Sequence, residues 1–364
     1  MMEWLATGRV MDAGWQALVL VLLRSTVLVG ILMIVMRRLG EGPAAVRARV
    51  LSAGILALLV LPLLTFWLPV LSLPVAEFPR MLFEGRIWSP ADASGATRLP
   101  GPGWLGAVAA VPLVSLAALV WFAGALALLL RFAVQSARIR AVGAMADTCD
   151  GPCAAALENA RRRMRVRAPV RAAWTERTDT PIVFGWRRPT ILLPVEARRW
   201  SPDRLDAVLC HELAHVARRD YLWLVATEVA HALYWPNPLV HRARSALRLE
   251  QDKASDGAAV QAGVPATVYA ATLLELARSS PAMRTRAALP LLSTGRRSPL
   301  RARVRALLDR RSIDNRTGPA HTVAALAVLL AAVVFLAAAD PWQCEGLPVF
   351  ELPGITVQVN APTI

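Results

Sequence analysis

The sequence predicts a mainly α membrane protein: four transmembrane helices, with a hydrophilic cytoplasmic α+β domain between the third and the fourth. Three observations predict it. Apolar residues make up 55% of the 364 and charged residues 18%, and mean hydropathy is +0.44; this excludes a disordered chain and argues against a wholly soluble one. Four apolar runs, about 15–36, 50–73, 104–130 and 322–339, reach the roughly 20 residues that a bilayer core requires. Charge is concentrated between the last two: residues 133–319 hold 31 basic and 17 acidic side chains, the rest 10 and 9.

The first run carries one internal charge, Arg24, which either joins a polar contact between helices or reaches back to an interface. Its basic residues, Arg37 and Arg38, follow the apolar stretch, so it does not read as a cleavable signal peptide. Pro62 and Pro69 interrupt the second run, which a span tolerates when neighbours satisfy the freed backbone groups. Arg37, Arg38, Arg47 and Arg49 crowd the loop between spans one and two and place it in the cytoplasm. The loop from 74 to 103 balances Arg80, Arg86 and Arg98 against Glu77, Glu84 and Asp92 and so faces out. The organisation expected is a three-span membrane domain over 1–132, a cytoplasmic domain over 133–319, a fourth transmembrane helix at 320–340 and an external tail at 341–364. The amino terminus then lies outside, in a cell (inner) membrane.

Within the basic block, Cys149 and Cys153 are spaced unlike a zinc knuckle or redox pair, Cys210 falls in a predicted helix, and Cys344 stands alone in the tail. No disulfide framework or cysteine metal site follows. Arg161, Arg162, Arg163, Arg165 and Arg167 fit a solvated face or anionic lipid better than nucleic acid, so no direct nucleic-acid binding is expected.

The chemistry lies in His211-Glu212-Leu213-Ala214-His215. A His-Glu-x-x-His string is expected by chance about 0.003 times in such a composition. Ser201-Pro202 reads as an N-cap and first helical residue, and Leu205, Val208, Leu209 and Val216 supply the apolar face. On that helix the two histidines stand one turn apart and can share a metal. Glu212 is rotated about 100° from His211, beside the ion and placed to take a proton from water. A third ligand should come from a second helix, opened by Asn237-Pro238 and carrying Glu250, Asp252 and Asp256. Asp252 and Asp256 share a face; Glu250 lies about 200° from Asp252, so the two cannot both point at one ion. His231, His241 and His321 have no helical partner and read as surface or interface residues.

The run Pro181 to Pro194, then His211 to His215 with Arg218 and Asp220, then Trp235-Pro236-Asn237-Pro238 and the acidic helix ending at Asp256, resembles the BlaR/MecR-type antirepressor membrane metalloproteases. The four-span layout is similar too, and the likeness runs to about residue 340. It implies a zincin-type fold for the cytoplasmic domain and a Zn2+-dependent endopeptidase of the gluzincin type. The expected substrate is a cytoplasmic repressor of helix-turn-helix type, and the chain itself before span four, where 279–318 is rich in serine, proline and arginine. By position the resemblance makes His211, His215 and Asp252 the metal ligands and Glu212 the general base, with Asp220 and Asp256 as supporting carboxylates. Two departures stand: Asp252 where the family has glutamate, and Ser255 where cysteine is usual, which leaves Glu250 as the alternative third ligand.

Ile182-Val183-Phe184 and Thr190 to Leu193, with Gly185 and Pro189 between, read as two short strands. Val183, Phe184 and Gly185 are candidates for pairing with substrate as an added strand, the other reading being a packing hairpin. Membrane lipids, a separate sensor and a second copy of the chain are the further partners considered. The family's β-lactam receptors carry an external domain with a Ser-x-x-Lys nucleophile. Here the one lysine, Lys253, follows Glu250 by three, so no penicillin-binding sensor is expected. The competing functions are a membrane quality-control metalloprotease and a non-catalytic scaffold with a degraded metal site.

Overall fold

A computed structural model describes residues 9–40, 42–67, 71–72, 113–279, 300–308 and 319–340. Helix α1 (Arg9–Arg38) and helix α2 (Ala44–Trp67) are joined by a tight turn. Gly40 adopts φ +55 there, a left-handed backbone that glycine enters without a Cβ penalty. The two helices cross closely at Gly54, where a Cβ would lie 2.4 Å from Leu32 Cδ2; small residues at such crossings let backbones approach. Helix α3 (Leu113–Met145) and helix α10 (Pro319–Ala338) complete the apolar set. Three of the four contain stretches long and apolar enough to cross a membrane, Val19–Arg38, Ala44–Thr65 and Leu116–Met145, and α10 adds a shorter one, Thr322–Ala338. Leu119, Phe122, Leu130, Leu330 and Phe335 are exposed on them, as lipid-facing residues are. After α2 and α10, strands β1 (Leu71–Ser72) and β6 (Ala339–Asp340) pair in parallel, so both helices end on one side of the bundle. Residues 68–70, 73–112, the 280–299 segment and the tail beyond 340, with Pro69, Cys344 and the His321 side chain, lie outside the described residues.

Helix α3 does not stop where its apolar run thins near 130. Its 33 residues extend about 50 Å, well beyond a hydrocarbon core of about 30 Å. The last turns bury Ile139 and Val142 against the sheet residues Ala173, Ile182, Phe184 and Leu192. The sheet has the order β2 (Asp147–Thr148), β3 (Arg171–Thr175), β5 (Thr190–Pro194), β4 (Ile182–Phe184), with β3 and β5 parallel and both edge strands antiparallel to their neighbours. Helix α4 (Gly151–Arg163), a short 3-10 turn at Val195–Arg199, and helices α5 (Pro202–Ala217), α6 (Asp220–Leu233), α7 (Pro238–Gln261), α8 (Ala266–Ser279) and α9 (Leu300–Leu308) make up the rest. Ser201 caps α5 by accepting from Arg204 N, and Asn237 caps α7 by accepting from Leu239 N, as the sequence predicts.

The α6–α7 corner is wedged among the membrane helices. Ala230, Tyr234, Val240, Ala243 and Leu247 share one core with Leu28, Leu32, Leu51, Ile55, Leu58 and the α10 stripe Ala325, Leu329, Val333 and Ala337. Three spans hold the corner by hydrogen bonds. Asn237 Nδ2 donates to Ser25 Oγ (3.2 Å) and Thr26 Oγ1 (3.1 Å) of α1. Trp121 Nε1 of α3 donates to the terminal carbonyl of α6 at Leu233 (2.9 Å), and Trp235 Nε1 donates back to Trp121 O (3.1 Å). Tyr234 Oη donates to Leu58 O of α2 (2.8 Å). That last bond has a local cause: Pro62, four residues on, has no N–H for the Leu58 carbonyl, and the tyrosine supplies the donor. The corner also brings His231 and His241 to 3.1 Å of each other across the α6–α7 packing, so of the two settings expected for them, surface or interface, they occupy the interface; His231 is buried.

Candidate metal centre

Helix α5 presents His211 and His215 one turn apart, and the two Nε2 atoms lie 3.2 Å from each other. Two nitrogens bound tetrahedrally to one zinc at its usual bond length stand about 3.3 Å apart. Asp252, from α7, places Oδ1 3.7 Å from His215 Nε2, and one donor atom from each of the three residues lies within 4.8 Å of the others. Glu212 is buried on the adjoining face of α5. The α5–α7 packing thus brings the two histidines and Asp252 to one point.

Glu250 is not there. Its carboxylate is buried 3.2 Å from Arg47 Nη2 in the first turn of α2, and Lys253 Nζ donates to it at 3.1 Å. The roughly 200° rotation between positions 250 and 252 turns one carboxylate to the membrane helices and the other to the histidines.

The histidines' other nitrogens are fixed from behind. Helix α5 turns sharply into α6 through Arg219, whose φ of 55 is unusual for a residue with a side chain. That turn folds Asp220 back to accept from His215 Nδ1 at 2.7 Å. Arg218 Nη2 ties the same carboxylate (2.6 Å) to Gln251 O (3.0 Å) and Ser255 Oγ (2.5 Å) of α7. Ser255, the position that departs from the family's cysteine, is therefore part of the α5–α7 lock. His211 Nδ1 lies 2.6 Å from Tyr269 Oη and 3.0 Å from Asp256 Oδ1, and the tyrosine donates to Asp256 Oδ1 at 2.7 Å.

With each Nδ1 facing a partner that can accept its hydrogen, the neutral form of each imidazole leaves its Nε2 lone pair for a metal, and the two Nε2 atoms face each other. The charges agree: Glu212, Asp220, Asp252 and Asp256 are four buried carboxylates answered by the guanidiniums of Arg218 and Arg303, and a divalent ion completes the balance. The residues present therefore fit a metal with two nitrogen donors and one oxygen donor.

Electrostatics support the arrangement. Burial opposes charging of His215, but the Asp220 carboxylate outweighs it and raises the imidazole above its ordinary pKa. Burial would raise the Asp256 carboxyl, yet Arg303 and His211 hold it well below the usual carboxylate range. Burial and the adjacent Asp256 carboxylate push the Tyr269 hydroxyl well up, so it stays a donor. Tyr269 and Arg303 are site residues that sequence reading missed. They come from α8 and α9, 58 residues from His211 and 47 from Asp256, with no local motif to mark them.

The strand candidates lie close by. Strand β4 packs beside α5 and forms one edge of the sheet, pairing with β5 on one side and with no strand on the other among the described residues. Phe184 is buried against Gly143 of α3, where a Cβ would come within 2.4 Å of its ring, while Val183 is half-buried. Gly185 takes φ +86 to start the turn into β5, with Arg188 O only 2.9 Å from where a Cβ would sit. The side chains of β4 are committed to packing, and its outer backbone edge remains.

The regulatory protein BlaR1 of Bacillus licheniformis is 35% identical to this chain over 82 residues. That match spans 22% of this chain and 14% of the relative, so the likeness covers a small part of that protein's length. The sequence model of the BlaR1 peptidase M56 family matches residues 105–307, from before α3 through α9 and including every residue of the centre described above. The chain is thus a membrane protein that belongs to the BlaR1 peptidase M56 family.

Proposed function

We propose that this protein is an integral-membrane zinc endopeptidase of signal transduction, with its peptidase part in the cytoplasm and both termini outside. Its substrate in this reading is a cytoplasmic helix-turn-helix repressor, and the segment between α8 and α10 is a second target in cis. One observation carries the reading: His211, His215 and Asp252 converge within 4.8 Å, beside a glutamate already positioned on the same helix. Zinc held by these three residues would supply Lewis acidity, to polarise a peptide carbonyl and acidify a water. The remaining work falls to the chain. Glu212 takes the proton of the attacking water on its carboxylate and passes it to the leaving amide nitrogen. Asp220, and Tyr269 with Asp256, hold the two imidazoles so that their Nε2 lone pairs stay aimed inward. The edge of β4 that pairs with no strand among the described residues offers backbone groups with which an extended substrate can pair, setting its scissile bond across α5.

The test compares cells producing the wild-type chain and Glu212→Gln by sequencing new protein amino termini. The expected result is a small set of termini, including one within a helix-turn-helix repressor, that disappears in the variant. Loss of a general base lowers the rate by about 10²–10⁴. Cuts spread over many unfolded proteins would instead indicate a quality-control enzyme, and cuts unchanged by Glu212→Gln would remove the assigned base.

A further inference from the structure

Helix α9 follows the 280–299 segment and precedes α10, and it sends one side chain into the metal centre. Arg303 grips Asp256 as a fork, Nε 2.8 Å from Oδ2 and Nη2 2.5 Å from Oδ1. Its remaining nitrogen, Nη1, lies 4.0 Å from Oδ2 of Asp252. The other oxygen of Asp252, Oδ1, faces His215 Nε2 at 3.7 Å. The two oxygens of the third ligand are thereby divided, one toward the histidines and one toward a guanidinium whose orientation is fixed by Asp256. Both carboxylates and Arg303 are largely withdrawn from solvent, with side-chain exposures of 9%, 2% and 16%, so the charges act across little water. Leu300, Val304 and Leu307 seat α9 in the peptidase core and hold the arginine's stem in place.

We propose that Arg303 is a positioning residue of the metal centre: by reserving Oδ2 of Asp252 it makes that ligand bind through one oxygen, leaving a coordination position open. The inference rests on the metal-centre reading above. Its chemical reason is that a peptidase centre needs three protein ligands and one vacant place. An aspartate free to rotate offers both oxygens and fills that place. The hydrogen bonds of the fork go to Asp256, and it is the charge of the third nitrogen, at ion-pair distance from Oδ2 of Asp252, that carries the proposed role.

The test uses the full-length protein in detergent, stripped with a chelator and titrated with Co2+, whose visible absorption reports coordination number, alongside Zn2+ competition against a chromophoric chelator. Arg303→Ala should weaken metal binding about 10–100-fold, the usual effect of losing a group that orients a ligand. It should also shift the cobalt spectrum to the weaker absorption of a higher coordination number. Asp256→Asn loosens His211 and also weakens the fork that orients Arg303, so it should weaken binding and shift the spectrum in the same direction. Arg303→Lys keeps a charge without the fork, so it should recover affinity in part but not the wild-type spectrum; it also stands in if the alanine variant fails to fold by circular dichroism. Wild-type affinity and spectrum in Arg303→Ala would overturn the proposal. So would lost affinity with an unchanged spectrum, since Arg303 would then act through Asp256 alone. A wild-type protein that binds no cobalt would overturn the metal-centre reading and this inference with it, whereas normal wild-type binding with indifferent Arg303 variants would overturn only the latter.

Discussion

The bond between Tyr234 and Leu58 exists because Pro62 cannot make it, which allows a clean perturbation. Tyr234→Phe removes one oxygen and leaves the ring, so no cavity opens and the cost is that of an orphaned carbonyl. Both residues are buried, Leu58 at 0% and Tyr234 at 2% exposure, so water cannot take the place of the hydroxyl. An unsatisfied buried acceptor costs about 1–3 kcal/mol, while hydrogen bonds between membrane helices average about 0.6 and reach about 1.7 kcal/mol. The overlap places Tyr234→Phe at about 1–1.7 kcal/mol. In a Pro62→Ala background, residue 62 regains an N–H, the Leu58 carbonyl finds its helical partner, and the same tyrosine substitution should cost about 0.5 kcal/mol or less. Unfolding of the four proteins in mixed detergent micelles, followed by tryptophan fluorescence, gives the coupling directly. Equal costs in the two backgrounds, or no cost in the wild type, would refute the argument that the wedge satisfies the proline's vacancy.

Three further predictions follow from the packing and the charges. Gly124→Ala puts a Cβ about 2.7 Å from the Trp235 indole, so the corner must shift, and destabilisation of about 1–3 kcal/mol is expected in the same micelle assay. Zinc affinity should fall with acid by about tenfold per pH unit below the raised pKa of His215, because a ligand must be neutral to bind. In the metal-free protein the sign reverses: the His215–Asp220 pair adds stability that is complete below the unfolded value of 6.5 and fades as pH rises through the folded one. A titration showing pH-independent metal binding between pH 5 and 8 would contradict the first statement. Finally, purified active protein should shorten by a cut within 279–318 while Glu212→Gln remains full length, which gel mass and terminal sequencing decide.

The sequence carried most of what is local. The histidine helix, its Ser201 cap, the Asn237 cap and the opposed directions of Glu250 and Asp252 all follow from helical geometry over fewer than twenty residues, and the structure has them. The apolar runs fall on the four apolar helices, but their bounds differ: the run 50–73 begins six residues inside α2 and passes its end at Trp67, and the run 104–130 stops short of the end of α3, whose last turns are amphipathic and find their apolar partners on the sheet. What the sequence did not reveal is tertiary. Tyr234, Trp235 and Asn237 read as a turn between two helices of a hydrophilic domain, yet each makes its decisive bond to a span more than one hundred residues away. Tyr269 and Arg303 were silent for the same reason: an isolated tyrosine and one arginine among 40 carry no pattern until α8 and α9 bring them to Asp256.

The central claim is that His211, His215 and Asp252 hold one metal while Glu250 does not. Zinc content by elemental analysis of purified wild type, Asp252→Ala and Glu250→Ala tests it most directly. The account predicts about one zinc per chain in the wild type, little or none in Asp252→Ala, and near wild-type content in Glu250→Ala, whose partners are Arg47 and Lys253. Zinc lost from Glu250→Ala but retained in Asp252→Ala would contradict it.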